Sequence, residues 1–435
     1  MKMKHSVLRF VQSMAVCLLL MMTGVTGLTA QTSYTSKIKN PSFESGLTSW
    51  TYKNVGTQSN DVFTLKSGST YVEKWTGRGG AVGSASVSQK VTGLPPGNYE
   101  LTVAAQNIQE DTPTDAQTGA WIYAGDKKTT VTVRAQYKVA FDCVDGTVTI
   151  GFEAVSATGN WLAFDNFRLS QVGTDLSTPL AAAIASGQEL YGDGGGKQAA
   201  QLLTAVNAAI AVQANTSATA QEQADAIIAL NEAEDIYRRA NASADDPIDV
   251  TSSITNPSFE EGDFSGWTAT GMALQANDVF SIKKGTWYVE RWTGRGGAVG
   301  DGSVLQVVNG LQPGRYQLKA AAQNIQEDTP SKAQSGAAIV AGSHSETVTT
   351  RKDYTLEFVL VSEKVKIGFK AVGATGNWLG VDNFRLLYVG DDFNDIKTEY
   401  QQLIAAAQTL ATKRINATAL QALQTAIEEI GRAHV

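Results

Sequence analysis

Trp75-Thr76-Gly77-Arg78-Gly79-Gly80 and Trp292-Thr293-Gly294-Arg295-Gly296-Gly297 are one hexapeptide written twice in the same chain. An indole face stacks on the apolar face of a sugar ring, and its N–H adds a donor. An arginine between glycines presents a rigid fork of donors, fit to read hydroxyl groups or to close a structural ion pair. The most polar shared run, Gln106-Asn107-Ile108-Gln109-Glu110-Asp111-Thr112-Pro113, is identical at Gln323 to Pro330. Amides and carboxylates supply donors and acceptors together, as sugar hydroxyls require. Each run directly follows a strand-like segment. It is therefore expected as a loop at one end of its domain, either carrying ligand contacts or serving as a polar turn that caps strand ends. The candidate ligand residues are Trp75, Arg78, Gln106, Asn107, Glu110 and Asp111, with Trp292, Arg295, Gln323, Asn324, Glu327 and Asp328 in the second copy. The glycines are not a phosphate cradle, because their spacing misses G-x-G-x-x-G and no helix follows.

The same inventory argues against catalysis. The three histidines are His5, His344 and His434, and none of them recurs between the copies. A Ser-His triad or a histidine-based metal site in the duplicated unit is thereby excluded. Glu73 and Glu110 are the one pair that has the makings of a glycosidase acid and base, but Glu73 alternates inside a strand and nothing in the sequence brings the two together.

The elements that position these residues are themselves duplicated. Trp50 to Leu169 overlays Trp267 to Leu386 without a gap, 217 residues apart, with 72 of 120 positions identical. Within each copy, short period-two segments alternate with Gly/Pro/Asn turns. Gly93-Leu94-Pro95-Pro96-Gly97, for example, leads into Tyr99, Leu101, Val103 and Ala105. Further strands are expected at 62–66, 71–75, 87–91, 121–124, 137–144, 148–152 and 164–169. So many strands with no helix between them predict a two-sheet jelly-roll sandwich. Trp50 and Trp161 (Trp267 and Trp378) sit in framework motifs and are expected in the core. Gln89 and Gln306 lie in phase with apolar neighbours and are expected to be buried amides tied to backbone. Trp121 and Trp287 face Ala338 and Thr70 in the other copy, so they either differentiate the sites or fill local surface.

Between the copies the period changes. Ala226, Leu230, Ala233, Tyr237 and Ala240 mark a helical stripe, and three helices are expected at 176–191, 198–212 and 218–242. The pattern restarts after the second copy at 393–412 and 417–430, without its third helix. Residues 431–435 read as an adapter-derived artefact on a chain that naturally continues. Residues 1–30 read as a secretory signal peptide, with Lys2, Lys4 and Arg9 before the apolar run 15–22 and Leu28-Thr29-Ala30 at the cleavage site. That run is too short for a membrane span, and Ala15-Val16 is a poor context for lipidation of Cys17. Cleavage leaves one cysteine, Cys143, matched by Leu360 and so a packing position. It also leaves 32 basic against 42 acidic residues, which argues against nucleic acid or an anionic membrane as partner.

The motifs Asn40-Pro41-Ser42-Phe43-Glu44 with Trp50, Tyr71-Val72-Glu73-Lys74-Trp75 and Trp161-Leu162 with Asp165-Asn166-Phe167-Arg168-Leu169 recur in both copies. They resemble the galactose-binding-like β-sandwich modules, akin to carbohydrate-binding modules, of secreted bacterial glycan-degrading proteins. The helical segments resemble the three-helix FIVAR repeats that separate such modules. The resemblance implies a multidomain fold, two all-β jelly-roll sandwiches alternating with all-α three-helix segments, the second truncated. The expected boundaries are signal peptide 1–30, sandwich 31–172, helices 173–246, sandwich 247–390, truncated helices 391–430 and artefact 431–435. It further implies a structural calcium in each sandwich, held by Glu44 and Asp165 and by Glu260 and Asp382; simple hydrogen bonding of these carboxylates to nearby turns is the alternative. No other cofactor is expected. The implied function is a secreted, periplasmic or cell-surface, non-catalytic glycan-binding region of a polysaccharide-degrading protein. Its partner would be a polysaccharide, the protein itself a monomer with no membrane span. A structural or adhesive surface protein with the sandwiches as spacers is the other reading.

Overall fold

The computed structural model describes residues 31–390; the expected signal peptide, truncated helices and artefact lie outside them. The described residues divide into two compact units, one reaching Leu190 and including Leu203–Glu232, the other Tyr191–Leu202 with the described residues from Ala233 on. The division runs through the helices, not around them.

In the first unit the strands are β1 (Thr32–Ser33), β2 (Thr51–Lys53), β3 (Gly56–Gln58), β4 (Tyr71–Trp75), β5 (Gly83–Thr92), β6 (Gly97–Ile108), β7 (Ala120–Ala124), β8 (Lys127–Thr130), β9 (Ala135–Cys143), β10 (Thr147–Ala157) and β11 (Trp161–Gly173). They form two antiparallel sheets, β3-β4-β11-β6-β9 with β1 beside β11, and β2-β5-β10-β7-β8. Val72, Leu101, Val103, Leu162 and Phe164 of the first sheet and Val87, Ile122, Ile150 and Phe152 of the second face each other across one core. Period-two alternation puts their neighbours on the outer faces. Cys143 packs in that core, 1% exposed. Trp50 is buried there too, its Nε1 donating to the Asn40 carbonyl at 3.1 Å. The Gln89 side chain accepts from Lys39 N–H and donates to the Lys39 and Ser49 carbonyls, so the buried amide is tied to backbone as its phase requires.

The second unit repeats this plan with β12 (Ile248–Asp249), β13 (Thr268–Thr270), β14 (Ala273–Gln275), β15 (Tyr288–Trp292), β16 (Gly300–Asn309), β17 (Gly314–Ile325), β18 (Ala337–Ala341), β19 (His344–Thr347), β20 (Lys352–Leu360), β21 (Lys364–Ala374) and β22 (Trp378–Gly390), ordered β14-β15-β22-β17-β20 with β12 beside β22, and β13-β16-β21-β18-β19. Its counterparts of β4, β6 and β11 are β15 (Tyr288–Trp292), β17 (Gly314–Ile325) and β22 (Trp378–Gly390). The helices are α1 (Ser177–Tyr191), α2 (Ala199–Ala214) and α3 (Ala220–Asn241), close to the stripes in the sequence. At the start of α3, Thr219 and Glu222 exchange N–H-to-side-chain bonds, a capping box that fixes the first turn. Among the described residues no helix is long and apolar enough to cross a membrane.

One expected strand is absent. Residues 62–66 form a loop, with Lys66 N–H turning back to the Phe63 carbonyl at 3.1 Å. The alternation there has another cause. Phe63 and Leu65 cover the outer face of the first sheet, where Phe63 packs with Tyr71, Ala104, Ile108, Trp161 and Ala163 in a second small core. Phe280 and Tyr288 repeat the plug in the second unit. Phe63→Ala removes a fully buried ring and should cost ~3–5 kcal/mol. The loss should fall first on this covering loop, seen as accelerated hydrogen exchange at Ser67, Ser69 and Thr70; unchanged exchange would mean the loop is held by its hydrogen bonds alone.

Candidate functional site

The two runs that the sequence offered as separate candidates meet in space. Trp75 ends β4, and its Nε1 donates to Glu110 Oε2 at 2.7 Å. Arg78 Nη1 reaches Asp111 Oδ1 at 2.8 Å, both side chains largely exposed. The second unit repeats both contacts, Trp292 to Glu327 at 3.0 Å and Arg295 to Asp328 at 3.4 Å. Trp75 and Trp292 remain 57% and 55% exposed. Their bonded N–H groups fix the ring direction.

Part of the polar run is not loop at all. β6 continues to Ile108 and β17 to Ile325, so Gln106, Asn107, Gln323 and Asn324 are strand residues with no exposed surface. Asn107 Nδ2 donates to the Thr118 and Val131 carbonyls, and Asn324 Nδ2 to Ser335 and Val348. These two asparagines stitch the sandwich end together and do not face a ligand. A polar residue inside a strand is buried when its phase points inward, and this phase is not visible where the alternation is broken by a run of polar types.

The outer face of the first sheet carries an open cleft of about 510 Å³, lined by Arg78, Ile108, Glu110, Pro113, Arg134 and Trp161 among others. Trp161 is 7% exposed and packs in the outer-face cluster, forming the floor here instead of belonging to the main core. Its Nε1 donates to Glu73 Oε2 at 2.8 Å, and Glu73 also accepts from the Tyr71 hydroxyl at 3.1 Å. Glu73 is thus committed to holding rings in place, and Glu110 to holding Trp75. The pair is not set up as a free acid and base. Trp121 lies elsewhere, on β7 in the other sheet, with Nε1 on Glu153 and the Lys128 ammonium 4.3 Å over its ring. Arg134 was missed from the sequence. Its one visible signal is identity with Arg351 in a stretch, 126–140, where most other positions differ.

The four carboxylates expected to hold calcium are hydrogen-bonded to nearby turns. Glu44 accepts from Ser69 N–H, Ser69 Oγ and Thr70 N–H, which hold its carboxyl below the usual range. Gly68 lies against it at φ +84°, where a Cβ would come within 2.5 Å of Oε1. Asp165 is buried, its oxygens accepting from Ser67 and Asn166 N–H. Glu260 accepts from Thr286 and Trp287, and Asp382 from Lys284 and Asn383. Every carboxylate oxygen already faces an N–H dipole. These bonds anchor the covering loop to the sandwich.

No family model matches the chain, and no curated protein matches it. Among solved structures, the chain is similar to TmCBM61, solved with β-1,4-galactotriose, at 19% identity over 31% of this chain and 97% of that one, TM-score 0.25. It is also similar to the N-terminal CBM22-1–CBM22-2 tandem of Paenibacillus barcinonensis Xyn10C, at 11% identity over 85% of this chain and 100% of that one, TM-score 0.26. A cyclase from Fischerella sp. TAU stands alongside, at 15% identity over 32% and 97%, TM-score 0.26. What this site does has to be read from its own side chains.

Burial pushes Asp165 and Asp382 up to about 7, against the pull of their two amide N–H donors. A raised carboxyl pKa means that the folded state holds its proton more tightly than the unfolded chain does. This contribution to stability is complete below about pH 4 and is lost as pH rises through about 7. Carboxyl-carbon NMR should therefore show two aspartate midpoints near 7, and the urea midpoint should fall between pH 5 and pH 8. Midpoints in the ordinary aspartate range would show that the amide donors outweigh burial.

Proposed function

We propose that the chain is a secreted, non-catalytic glycan-binding region, working through two repeated sites, and that it serves a polysaccharide-degrading protein, a glycoside hydrolase. The observation that carries the binding reading is the indole of Trp75, more than half exposed and held by Glu110 beside an open cleft, with Trp292 equally exposed and held by Glu327. A fixed aromatic face gives contact area to a sugar ring with little ordering cost on binding. Glu110, Asp111 and Arg78 beside it supply acceptors and donors for hydroxyls. The link to a hydrolase rests on the family resemblance of the framework motifs, and the open reading frame beyond Glu428 tests it: a catalytic domain supports the link, an anchor with further sandwich-helix repeats opposes it.

Two sites in one chain raise apparent affinity for a long polymer by effective concentration, up to ~10²–10⁴ where geometry permits both to engage. Each stacked ring should contribute ~1–3 kcal/mol, by analogy with base stacking. Trp75→Ala or Trp292→Ala alone should weaken retention on a polysaccharide gel moderately, and the double variant should nearly abolish it. The rings are exposed, so folding should survive. Full retention by the folded double variant would remove these tryptophans from the site.

A further inference from the structure

Arg134 and Arg351 are half-buried cations that meet no carboxylate. Arg134 Nε donates to Gln106 Oε1 at 2.6 Å and Nη1 to Thr64 Oγ1 at 3.3 Å, and the guanidinium lies 5.4 Å from the Trp161 ring centre. Arg351 repeats this with Gln323 at 2.6 Å, Ser281 at 3.2 Å and Trp378 at 5.1 Å. Among the described residues neither guanidinium has an ion pair. Of the other charged groups nearby, Arg78 is paired with Asp111, while Glu110 and Glu73 accept from neutral donors, the Trp75 N–H and the Tyr71 hydroxyl with the Trp161 N–H. Burial lowers the pKa of both arginines, a sign that the cation is poorly compensated where it stands.

The glutamines add a second, independent signal. Because Oε1 accepts from the arginine, the amide orientation is set and Nε2 points elsewhere. Gln106 and Gln323 have no exposed surface, and Nε2 of each lacks any partner. A buried donor without an acceptor is costly. In both units the guanidinium lacks a counter-charge and the glutamine Nε2 beside it lacks an acceptor.

We propose that the cleft takes a glycan bearing negative charge, a uronic acid unit or a sulfate ester, whose anionic group pairs with the free N–H edge of Arg134, and in the second unit of Arg351. The inference rests on the glycan-binding reading and narrows it. Nε and one Nη1 hydrogen are in use, which leaves the Nη1/Nη2 edge open for two parallel bonds to one anion. A neutral hydroxyl can accept one of these bonds but leaves the charge without a counter-charge in a partly desolvated place. The chain is net −7 and gives polyanions no general attraction, so any preference for them has to arise in a local site of this kind.

The test compares ligands on the intact protein, so it does not depend on a variant folding. Titration calorimetry with the full chain uses polygalacturonate, the same polymer methyl-esterified, neutral galactan and dextran sulfate. Binding to polygalacturonate should be at least about tenfold tighter than to its methyl ester. Arg134→Met with Arg351→Met, which keeps the aliphatic stem over the tryptophan, should bring the two within about twofold, and the lysine pair should keep part of the preference. A stronger response to dextran sulfate than to polygalacturonate would support the anion pairing and assign it to sulfate esters. Equal binding to the acid and ester forms, or binding to galactan alone, would overturn the charged-ligand inference while leaving glycan binding intact. No binding to any polymer would overturn both.

Discussion

The side chain of Asn160 has no exposed surface, yet each of its polar groups is used, and the candidate site depends on how. Oδ1 accepts the Glu110 N–H at 3.0 Å, Nδ2 donates to the Gly77 carbonyl at 3.1 Å, and the backbone carbonyl accepts from Thr76 N–H. One buried amide therefore ties the turn after Trp75 to the turn that carries Glu110 and Asp111. Asn377 does the same between Gly294 and Glu327. An unsatisfied amide at this depth would cost ~1–3 kcal/mol, so the two turns are held together by the same penalty that keeps buried polar groups paired. With the turns fixed, the Trp75–Glu110 and Arg78–Asp111 contacts are local consequences.

A second constraint comes from the sheet itself. A sandwich buries one face of each sheet, but here the outer face of β3-β4-β11-β6-β9 is apolar too, through Tyr71, Ala104, Ile108 and Trp161. The loop carrying Phe63 covers part of it, pinned through Ser67, Ser69 and Thr70 to Asp165 and Glu44. The remainder is the cleft. Loop anchoring and ligand cleft are thus two uses of one exposed sheet face, and the carboxylates that resemble metal ligands serve the first.

Much of this was legible in the chain. The duplication, the strand and helix periods, the absence of a shared histidine and the pairing of Trp75 with Trp292 all follow from residue order, because period and repetition are local properties. Val62 to Lys66 misled, since alternation reports burial on one side and not pairing with another strand. Gln106 and Asn107 misled for the converse reason: polar types in a row suggest a loop, and only the register of β6 against β11 shows that they are buried.

The sequence by itself determined that two like sandwiches exist, that helices lie between them, and that no histidine-based chemistry is duplicated. Only the tertiary structure decided which side chains share a site. Trp75 and Glu110, Arg78 and Asp111, and Arg134 and Gln106 lie 35, 33 and 28 residues apart. Antiparallel pairing of β4 and β6 with β11 sets these neighbours, and whether a cation ends up with a counter-charge is a property of the assembled face that no stretch of sequence contains.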